Sequence, residues 1–311
     1  MTHGQALDQG ERVNPQTSTA SDQAIGEQGL TDAVAAGFDT AASPRYRDLM
    51  QSLVRHLHGF AREVRLTQEE WDAAIAFLTR VGHRTDERRQ EFILLSDVLG
   101  LSMLTVAMNA PAAAGATEST VFGPFFVADA PEVALGGDIA RGAKGIPCHV
   151  SGVVRSTEHG PLPGARVDVW EADADGLYDV QYDGERSAGR GRLRSGPHGE
   201  YAFWSVRPSP YAIPHDGPVG ELLTAAGRGP MRPAHLHFKV EASGHRTLIT
   251  HIFAAGDAHL DQDAVFGVND SLVVEFTERP PGTAPDGRVL DQPWVQVEFD
   301  LVLAPGQEEL R

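Results

Sequence analysis

The segment from Arg232 to Val240 carries two histidines, His235 and His237, with one residue between them. If this segment is a β-strand, residues i and i+2 point to the same face, so both imidazoles lie on one side and Leu236 faces the core. Two imidazoles about 7 Å apart at Cα on one rigid strand can bind a single metal ion. The pair is also compatible with two exposed surface histidines, so a metal site needs further ligands elsewhere in the chain.

Two of the five tyrosines offer such ligands. Tyr178 follows the turn-like segment Asp173–Gly176, and Tyr211 follows the proline-stiffened segment Arg207–Pro210. A phenol has an ordinary pKa near 10, but a hard trivalent metal would displace its proton at neutral pH. Two phenolates and two imidazoles would favour Fe(III) and leave one positive charge for an anionic ligand. Each tyrosine alone is also compatible with an aromatic residue packed under a loop.

The composition narrows the choice of metal and partner. A single cysteine, Cys148, excludes an intramolecular disulfide, a cysteine-rich zinc site and an iron–sulfur cluster, and it indicates a reducing cytoplasm. A net charge of −17 argues against nucleic acid and anionic membranes as partners. The sequence has no run of 18 apolar residues and no signal-peptide pattern, so we expect no transmembrane helix.

The first third of the chain is patterned as a tail followed by helices. Residues 1–28 hold no aromatic side chain and predict a disordered tail. From Thr31 to about Ala110 apolar residues recur every three or four positions, with Ser43 as a predicted helix cap before Pro44. One stripe consists of Leu49, Leu53, Leu57, Phe60 and Val64. The helices either pack on the rest of the chain as a small bundle or meet a second copy of it.

Two further helix starts are predicted in this region. Thr67 and Glu70 form a capping-box pattern ahead of an apolar stripe. Another helix is predicted to start near Thr85, with an apolar face formed by Phe92, Leu95, Leu99 and Met103.

After about Pro111 the apolar period changes from 3.6 to 2, and Gly and Pro become frequent. The alternation predicts strands at Ile146–Arg155, Ala165–Ala172, Glu200–Val206, Ala234–Glu241, Thr247–Phe253, Leu272–Phe276 and Trp294–Leu303. Many short strands between turn signals favour a β-sandwich. We therefore expect an α+β protein with a helical region over residues 29–115 and a mostly antiparallel β-sandwich over residues 116–311.

In combination, these segments resemble the iron motif of the intradiol ring-cleaving dioxygenases, whose non-haem Fe(III) is held by two Tyr and two His. The residues that carry the resemblance are Leu177-Tyr178, Pro210-Tyr211 and Arg232-Pro233-Ala234-His235-Leu236-His237. The resemblance runs from roughly Thr31 to Leu303. It implies Tyr178, Tyr211, His235 and His237 as ligands of Fe(III) in the β-sandwich, and dimers formed through the N-terminal helices, in some members around a lipid.

Within the family, the likeness is greatest to members that cleave hydroxyquinol (benzene-1,2,4-triol). It rests on Leu94–Asp97, Ala116–Pro124, Tyr211–Gly220 and Asp261–Val268. By this resemblance the ring of the substrate would be lined by Leu94, Asp97, Val121, Phe122, Gly123, Pro124, Ile213, Pro214 and Val265. Asp97 is notable because a buried carboxylate needs a partner, and a third ring hydroxyl could be that partner.

The resemblance also implies catalytic roles. Tyr211 would leave the metal and take a substrate proton while Tyr178 stays, and Arg232 would stabilise negative charge on the ring carbon. Many family members have a glutamine where this chain has His251. Three roles are compatible with His251: it donates a hydrogen bond in place of the glutamine, it titrates, or it is a half-buried histidine bonded to backbone. The implied reaction inserts one oxygen atom of O₂ between the two hydroxylated carbons as an anhydride, and hydrolysis adds the second to yield 3-hydroxy-cis,cis-muconate, which tautomerises to maleylacetate.

Other functions are compatible with parts of the pattern. The same chemistry on catechol or a chlorocatechol would need few pocket changes. A zinc hydrolase could use His235 and His237 with a carboxylate as third ligand. A non-catalytic β-sandwich binding module with a helical dimerisation arm would need no metal.

Overall fold

The computed structural model describes residues 26–86, 89–110, 113–183 and 186–306. It contains six helices there: α1 (Glu27–Ala36), α2 (Pro44–Glu63), α3 (Gln68–Arg84), α4 (Glu91–Val98), α5 (Leu101–Asn109) and α6 (Pro218–Ala225). The predicted tail, residues 1–28, lies outside the described residues except for its last three, of which Glu27 already begins α1.

The strands of the same described ranges are β1 (Pro147–Ser156), β2 (Gly160–Pro161), β3 (Arg166–Glu171), β4 (Arg190–Arg194), β5 (Glu200–Val206), β6 (Tyr211–Ala212), β7 (Met231–Arg232), β8 (His235–Glu241), β9 (Leu248–Ala254), β10 (Val273–Val274), β11 (Thr277–Arg279), β12 (Gly282–Thr283), β13 (Val289–Leu290), β14 (Trp294–Glu298) and β15 (Leu301–Leu303). Helices followed by sheets confirm the expected α+β class.

The described residues up to Ala74 form one compact unit. Within it, α2 begins as predicted, because Pro44 occupies its first turn and the Tyr46 amide donates to the Ser43 hydroxyl over 3.3 Å. The capping box ahead of α3 is also confirmed, since the Thr67 amide donates to the Glu70 carboxylate over 2.9 Å and the Glu70 amide donates to the Thr67 hydroxyl over 3.2 Å.

The residues from Ile75 onward form a second compact unit. The helix predicted to start near Thr85 is two helices in the structure, α4 and α5, bent by 77° at Leu99 and Gly100. Gly100 has a φ of 73°, a left-handed conformation that ends a helix and that glycine adopts at little cost. No single described helix is long and apolar enough to cross a membrane, although α4 and α5 together pass that test by length and composition. The predicted division at residue 115 stays a prediction.

Two sheets form the β-sandwich. One is ordered β11-β14-β1-β15, with β2 and β5 also paired to β1, and the other is ordered β10-β9-β8-β3-β4. Their facing side chains form one apolar core, in which Phe238 of β8 contacts Tyr201 and Phe203 of β5 edge to face at 6.1 and 6.3 Å between ring centroids. Leu236 and Val240 lie in the same core, so the predicted alternation along β8 is confirmed.

The last predicted strand, Trp294–Leu303, is interrupted at Phe299 and Asp300. β14 pairs in parallel with Cys148–Ser151 of β1, and β15 pairs with Val154–Ser156 further along β1. Between the two ladders the Phe299 carbonyl folds over Gly152 and accepts the Tyr201 hydroxyl over 2.6 Å, while Asp300 accepts the Val153 amide over 2.9 Å. Periodicity alone does not reveal such an interruption, because the apolar alternation and the register with β1 continue through it.

Candidate metal centre

Strand alternation and two loops bring the four predicted ligands together. His235 and His237 of β8 are buried on the face opposite the core. Tyr178 immediately precedes a single 3₁₀ turn, Asp179–Gln181, and is fully buried. Tyr211 is the first residue of β6 and pairs with Arg232 of β7. The histidines are therefore not exposed on a surface, which was the competing interpretation.

The Tyr178 hydroxyl lies within 3.5 Å of the potential ligand atoms of the other three residues. The Tyr178 hydroxyl lies 2.8 Å from His237 Nε2, 3.4 Å from His235 Nε2 and 3.5 Å from the Tyr211 hydroxyl. The two Nε2 atoms are 3.2 Å apart. Four potential ligand atoms thus surround one point.

Each histidine ring is fixed in its own way. The His235 Nδ1 lies 2.7 Å from the Pro233 carbonyl, and since a carbonyl only accepts, Nδ1 donates and Nε2 keeps its lone pair. The His237 Nδ1 has no hydrogen-bond partner among the described residues. Its ring is instead stacked on Trp170 at 4.6 Å between centroids and 17° between planes, and Gly123 lies against its Cε1.

The protonation of the site suits metal binding. Burial lowers the pKa of His235 to about 3 and lowers the pKa of His237 well below its usual value, with the Arg232 charge acting in the same direction. Both imidazoles are therefore neutral at pH 7 and have lone pairs available. Burial raises the pKa of Tyr178, so an apolar site without a cation keeps this phenol protonated and a bound cation would favour the phenolate.

Arg232 is buried beside the ligands. Its Nη1 lies 3.3 Å from His235 Nε2, and its Nε donates to Asp263 over 3.0 Å. Asp263 also accepts the Gly267 amide over 2.8 Å. Burial alone would raise the pKa of Asp263, but the Arg232 guanidinium outweighs it and the pKa lies below its usual value. A charged arginine thus faces the donor atoms and is held by a paired carboxylate.

His251 lies on β9 directly opposite His237, with 4.0 Å between ring centroids. Its Nδ1 is hydrogen-bonded to the Thr120 hydroxyl, and its Nε2 has no partner within the described part of the chain. His235, His237 and His251 together form the single group of three metal-binding side chains found among the described His, Cys, Asp and Glu residues. That group contains no carboxylate, which counts against the zinc hydrolase.

The predicted pocket residues mostly gather beside the tyrosines. Leu94, Val121, Ile213 and Val265 are buried in one apolar cluster with Tyr178 and Tyr211. Asp97, next to this cluster on α4, is also buried; burial raises its pKa, and a hydrogen bond from Ser102 acts in the opposite direction.

The remaining predicted pocket residues lie at its rim. Phe122 is partly exposed and packs edge to face on Trp170 at 5.7 Å, and Gly123 follows it against His237. Pro214 is half-buried and Pro124 is exposed.

Several residues of the site were missed from the sequence. Trp170 pairs with His237 across β3 and β8, and alignment of the two predicted strands could have found it. Asp263 lies within the segment Asp261–Val268 that carried the resemblance, but nothing in its spacing indicates that it pairs with Arg232.

The chain matches two known families. Residues 43–117 match the family described as catechol dioxygenase N terminus, and residues 121–305 match the dioxygenase family. The chain therefore belongs to the intradiol ring-cleaving dioxygenases. The family uses iron, and the tyrosine and histidine donors described above fit that metal.

Individual relatives are similar over nearly their whole length. The chain is 60% identical over 294 residues to a hydroxyquinol 1,2-dioxygenase of Rhodococcus opacus, covering 94% of this chain and 98% of the relative. It is 59% identical over 290 residues to one of Nocardioides simplex, covering 93% and 99%. The crystal structure of hydroxyquinol 1,2-dioxygenase from Pseudomonas putida DLL-E4 superposes with a TM-score of 0.84 at 43% identity, covering 90% of this chain and 99% of that one.

Proposed function

We propose that this chain cleaves hydroxyquinol with O₂ between its adjacent hydroxylated carbons, to give 3-hydroxy-cis,cis-muconate and its tautomer maleylacetate. The observation that carries the proposal is the convergence of two phenols and two neutral imidazoles next to a buried apolar cluster. The relatives named hydroxyquinol 1,2-dioxygenase support the choice of substrate.

The metal would be Fe(III), held by Tyr178, Tyr211, His235 and His237. Two phenolate donors stabilise the trivalent state, because their charge offsets much of the charge of the ion. Ferric iron would supply a Lewis acid that binds the diol through both oxygens and makes the ring reactive towards O₂.

The two tyrosines would have different tasks. Binding of a diol through both oxygens releases two protons, and Tyr211 is the residue that would accept one of them as it leaves the metal. Tyr211 is 7% exposed and lies on a two-residue strand, whereas Tyr178 is fully buried. Tyr178 would therefore remain as the permanent phenolate ligand.

Arg232 would stabilise negative charge that develops on the ring carbon. Its guanidinium is buried, is held by Asp263 and lies 3.3 Å from a ligand nitrogen, so it needs no reorganisation during the reaction. His251 would orient the site through its Nε2, with Thr120 holding the opposite ring nitrogen.

The pocket would select the substrate through one polar group. Leu94, Val121, Phe122, Gly123, Pro124, Ile213, Pro214 and Val265 would surround the ring. Asp97 is the carboxyl group in this apolar surface, and we assign it to the third hydroxyl of hydroxyquinol.

The deciding experiment measures oxygen uptake by iron-loaded enzyme with hydroxyquinol, catechol and chlorocatechols. We expect hydroxyquinol to have the highest kcat/KM. A preference for catechol of about tenfold, or about 1.4 kcal/mol in transition-state binding, would overturn the substrate assignment. A colourless zinc protein without oxygen uptake would overturn the reaction class, because phenolate-to-Fe(III) charge transfer gives a red to brown protein.

We also propose a cytoplasmic homodimer formed through the N-terminal helices, with a lipid as a candidate occupant of the interface. Five apolar side chains along α2 and its C-cap support the dimer because each is about half exposed: Leu49, Leu53, Leu57, Phe60 and Val64. The single cysteine, Cys148, is buried and supports a reducing compartment.

A further inference from the structure

A buried ion pair lies directly beside the Tyr178 ligand. Asp179, the next residue in the chain, is bound by Arg190 of β4 through two hydrogen bonds, one of them 2.7 Å from Nε to Oδ2. Both side chains are at most 4% exposed. The Asp179 carboxylate also accepts the Ala188 amide over 3.2 Å and the Val180 amide over 2.8 Å, so its position is fixed from several sides.

The same guanidinium also binds the backbone of Phe125, the residue whose ring covers Tyr178. Nη1 and Nη2 of Arg190 each donate to the Phe125 carbonyl over 3.1 Å. The Phe125 ring is stacked on the Tyr178 ring, with 4.5 Å between centroids and 25° between planes. One arginine thus binds the side chain of the residue that follows Tyr178 and the backbone of the residue stacked on it.

The backbone amide and carbonyl of Tyr178 are both hydrogen-bonded as well. Its amide donates to the Gln181 side chain over 2.9 Å, and its carbonyl accepts the Gln181 amide over 2.9 Å. Tyr211 lies in the same apolar cluster as Tyr178, but its aromatic contacts are with Tyr178 and His235, two other proposed ligands, at 5.5 Å between centroids. Tyr178, by contrast, has a stacked phenylalanine ring and a buried ion pair at the next residue.

We propose that Asp179 and Arg190 are positioning residues that hold Tyr178 in place as the permanent phenolate ligand. This inference rests on the proposed function of the site. It gives a physical reason for the unequal tasks of the two tyrosines, because an anchored ring stays on the metal while the less constrained ring moves. Phe125 transmits the constraint by stacking.

The contacts of Asp179, Arg190 and Phe125 around Tyr178 form its anchor. Two variants loosen this anchor to different degrees. Asp179→Asn keeps the size of the side chain and removes the charge that binds Arg190. Phe125→Leu keeps an apolar side chain and removes the stacked ring without leaving a charge unpaired. The second variant keeps the inference testable if the first fails to fold, because breaking a buried ion pair destabilises strongly.

The chain offers a matched control in Asp168→Asn. Asp168 is buried on β3 and pairs with Arg192 of β4 over 2.8 Å, and Arg192 is hydrogen-bonded to the Ala128 carbonyl. The control removes the same charge from an ion pair between β3 and β4 whose arginine also binds the 125–128 segment, although Asp168 pairs with Arg166 as well, over 2.8 Å. It leaves the residues around Tyr178 intact.

The test measures the visible charge-transfer band and the rate of iron release to a chelator, in resting and substrate-saturated enzyme. We expect Asp179→Asn to weaken or shift the band of the substrate-saturated form and to release iron about tenfold faster or more. Phe125→Leu should act in the same direction with a smaller effect. Asp168→Asn should retain the wild-type band and release rate even if its melting temperature falls.

The inference is overturned if both anchor variants keep the wild-type band and release rate, or if Asp168→Asn changes them equally. A wild-type enzyme that shows no band after iron loading would overturn it together with the iron assignment. A normal band without oxygen uptake on any diol would overturn the proposed function alone.

Discussion

At the scale of single residues, packing orients the Nδ1 side of His237 where a hydrogen bond orients that of His235. The His235 Nδ1 is held by the Pro233 carbonyl, whereas the His237 Nδ1 has no partner among the described residues and the ring is stacked on Trp170 with Gly123 at its Cε1 edge. No hydrogen bond on this side of the His237 ring restores it after a displacement. Small changes in volume next to His237 should therefore disturb metal binding.

Gly123→Ala tests this dependence. The new Cβ would lie 3.1 Å from His237 Cε1, and we expect lower iron content and a weaker charge-transfer band. Gly136→Ala is the matched control, because Gly136 has nearly the same φ, 77° against 75°, and no atom within 4 Å of the Cβ position among the described residues. Equal iron contents in the two variants would show that the contact with His237 is unimportant.

Glu171 is a buried carboxyl group that the reaction does not use. Burial raises its pKa to about 8, while hydrogen bonds from Ser205 and the Val206 amide act in the opposite direction. The folded protein therefore keeps the proton between about pH 4.5 and 8, whereas the unfolded chain releases it. Stability from this group is present below pH 4.5 and is lost as the pH rises towards 8, by at most about 1.4 kcal/mol per unit.

Glu171→Gln should remove this pH dependence. We expect the variant to have a higher melting temperature than the wild type at pH 8, with the difference shrinking towards pH 5. Thermal unfolding at both pH values measures it. A difference that stays constant with pH would mean that the Glu171 carboxyl titrates normally in the folded protein.

At the scale of elements, the sequence predicted the long regular segments and missed the points where they break. The cap at Ser43 and the alternation along β8 could be predicted, because both are local patterns of side-chain chemistry. The bend at Gly100 and the strand interruption at Phe299 could not, because the apolar period continues across each of them. The pairing of Asp263 with Arg232 joins separate segments and likewise leaves no local signal.

Gly152→Ala tests the close contact at the interruption between β14 and β15. A Cβ at this position would lie 1.8 Å from the Phe299 carbonyl oxygen, so the backbone of one strand must move. We expect a loss of about 2 kcal/mol or more in the free energy of unfolding, measured by urea denaturation. Gly229→Ala is the control, since no described atom lies within 4 Å of that Cβ, and an equal effect of both substitutions would contradict the close contact.

At the scale of the whole molecule, the apolar stripe of α2 is exposed in a single chain, and nothing in that chain explains why it is apolar. Leu53 and Leu57 are 48% and 56% exposed. Regular spacing predicted the helix and its stripe, but the sequence left open what covers it, because packing on the same chain and packing on a second copy need the same apolar residues.

Leu57→Glu tests the proposed dimer. Light scattering of the wild type should give about twice the chain mass of 33.4 kDa, and the variant should give the mass of one chain, because a charge would be buried in the interface. Arg55→Gln changes the charge of the same helix by the same amount and should leave the dimer intact. A wild type with the mass of one chain would refute the dimer.

The position of β1 has a consequence for the order of assembly. β1 lies inside its sheet and pairs with β14 and β15, so that Cys148 meets Val295 across a long stretch of chain. During synthesis this sheet can form only after almost the entire β-sandwich has left the ribosome. The strands β3, β8 and β9 pair within a shorter stretch of sequence. All strands of the sheet that carries the two histidines are therefore synthesised before the last strands of the sheet that packs against it. We expect nascent chains that end before Trp294 to remain protease-sensitive.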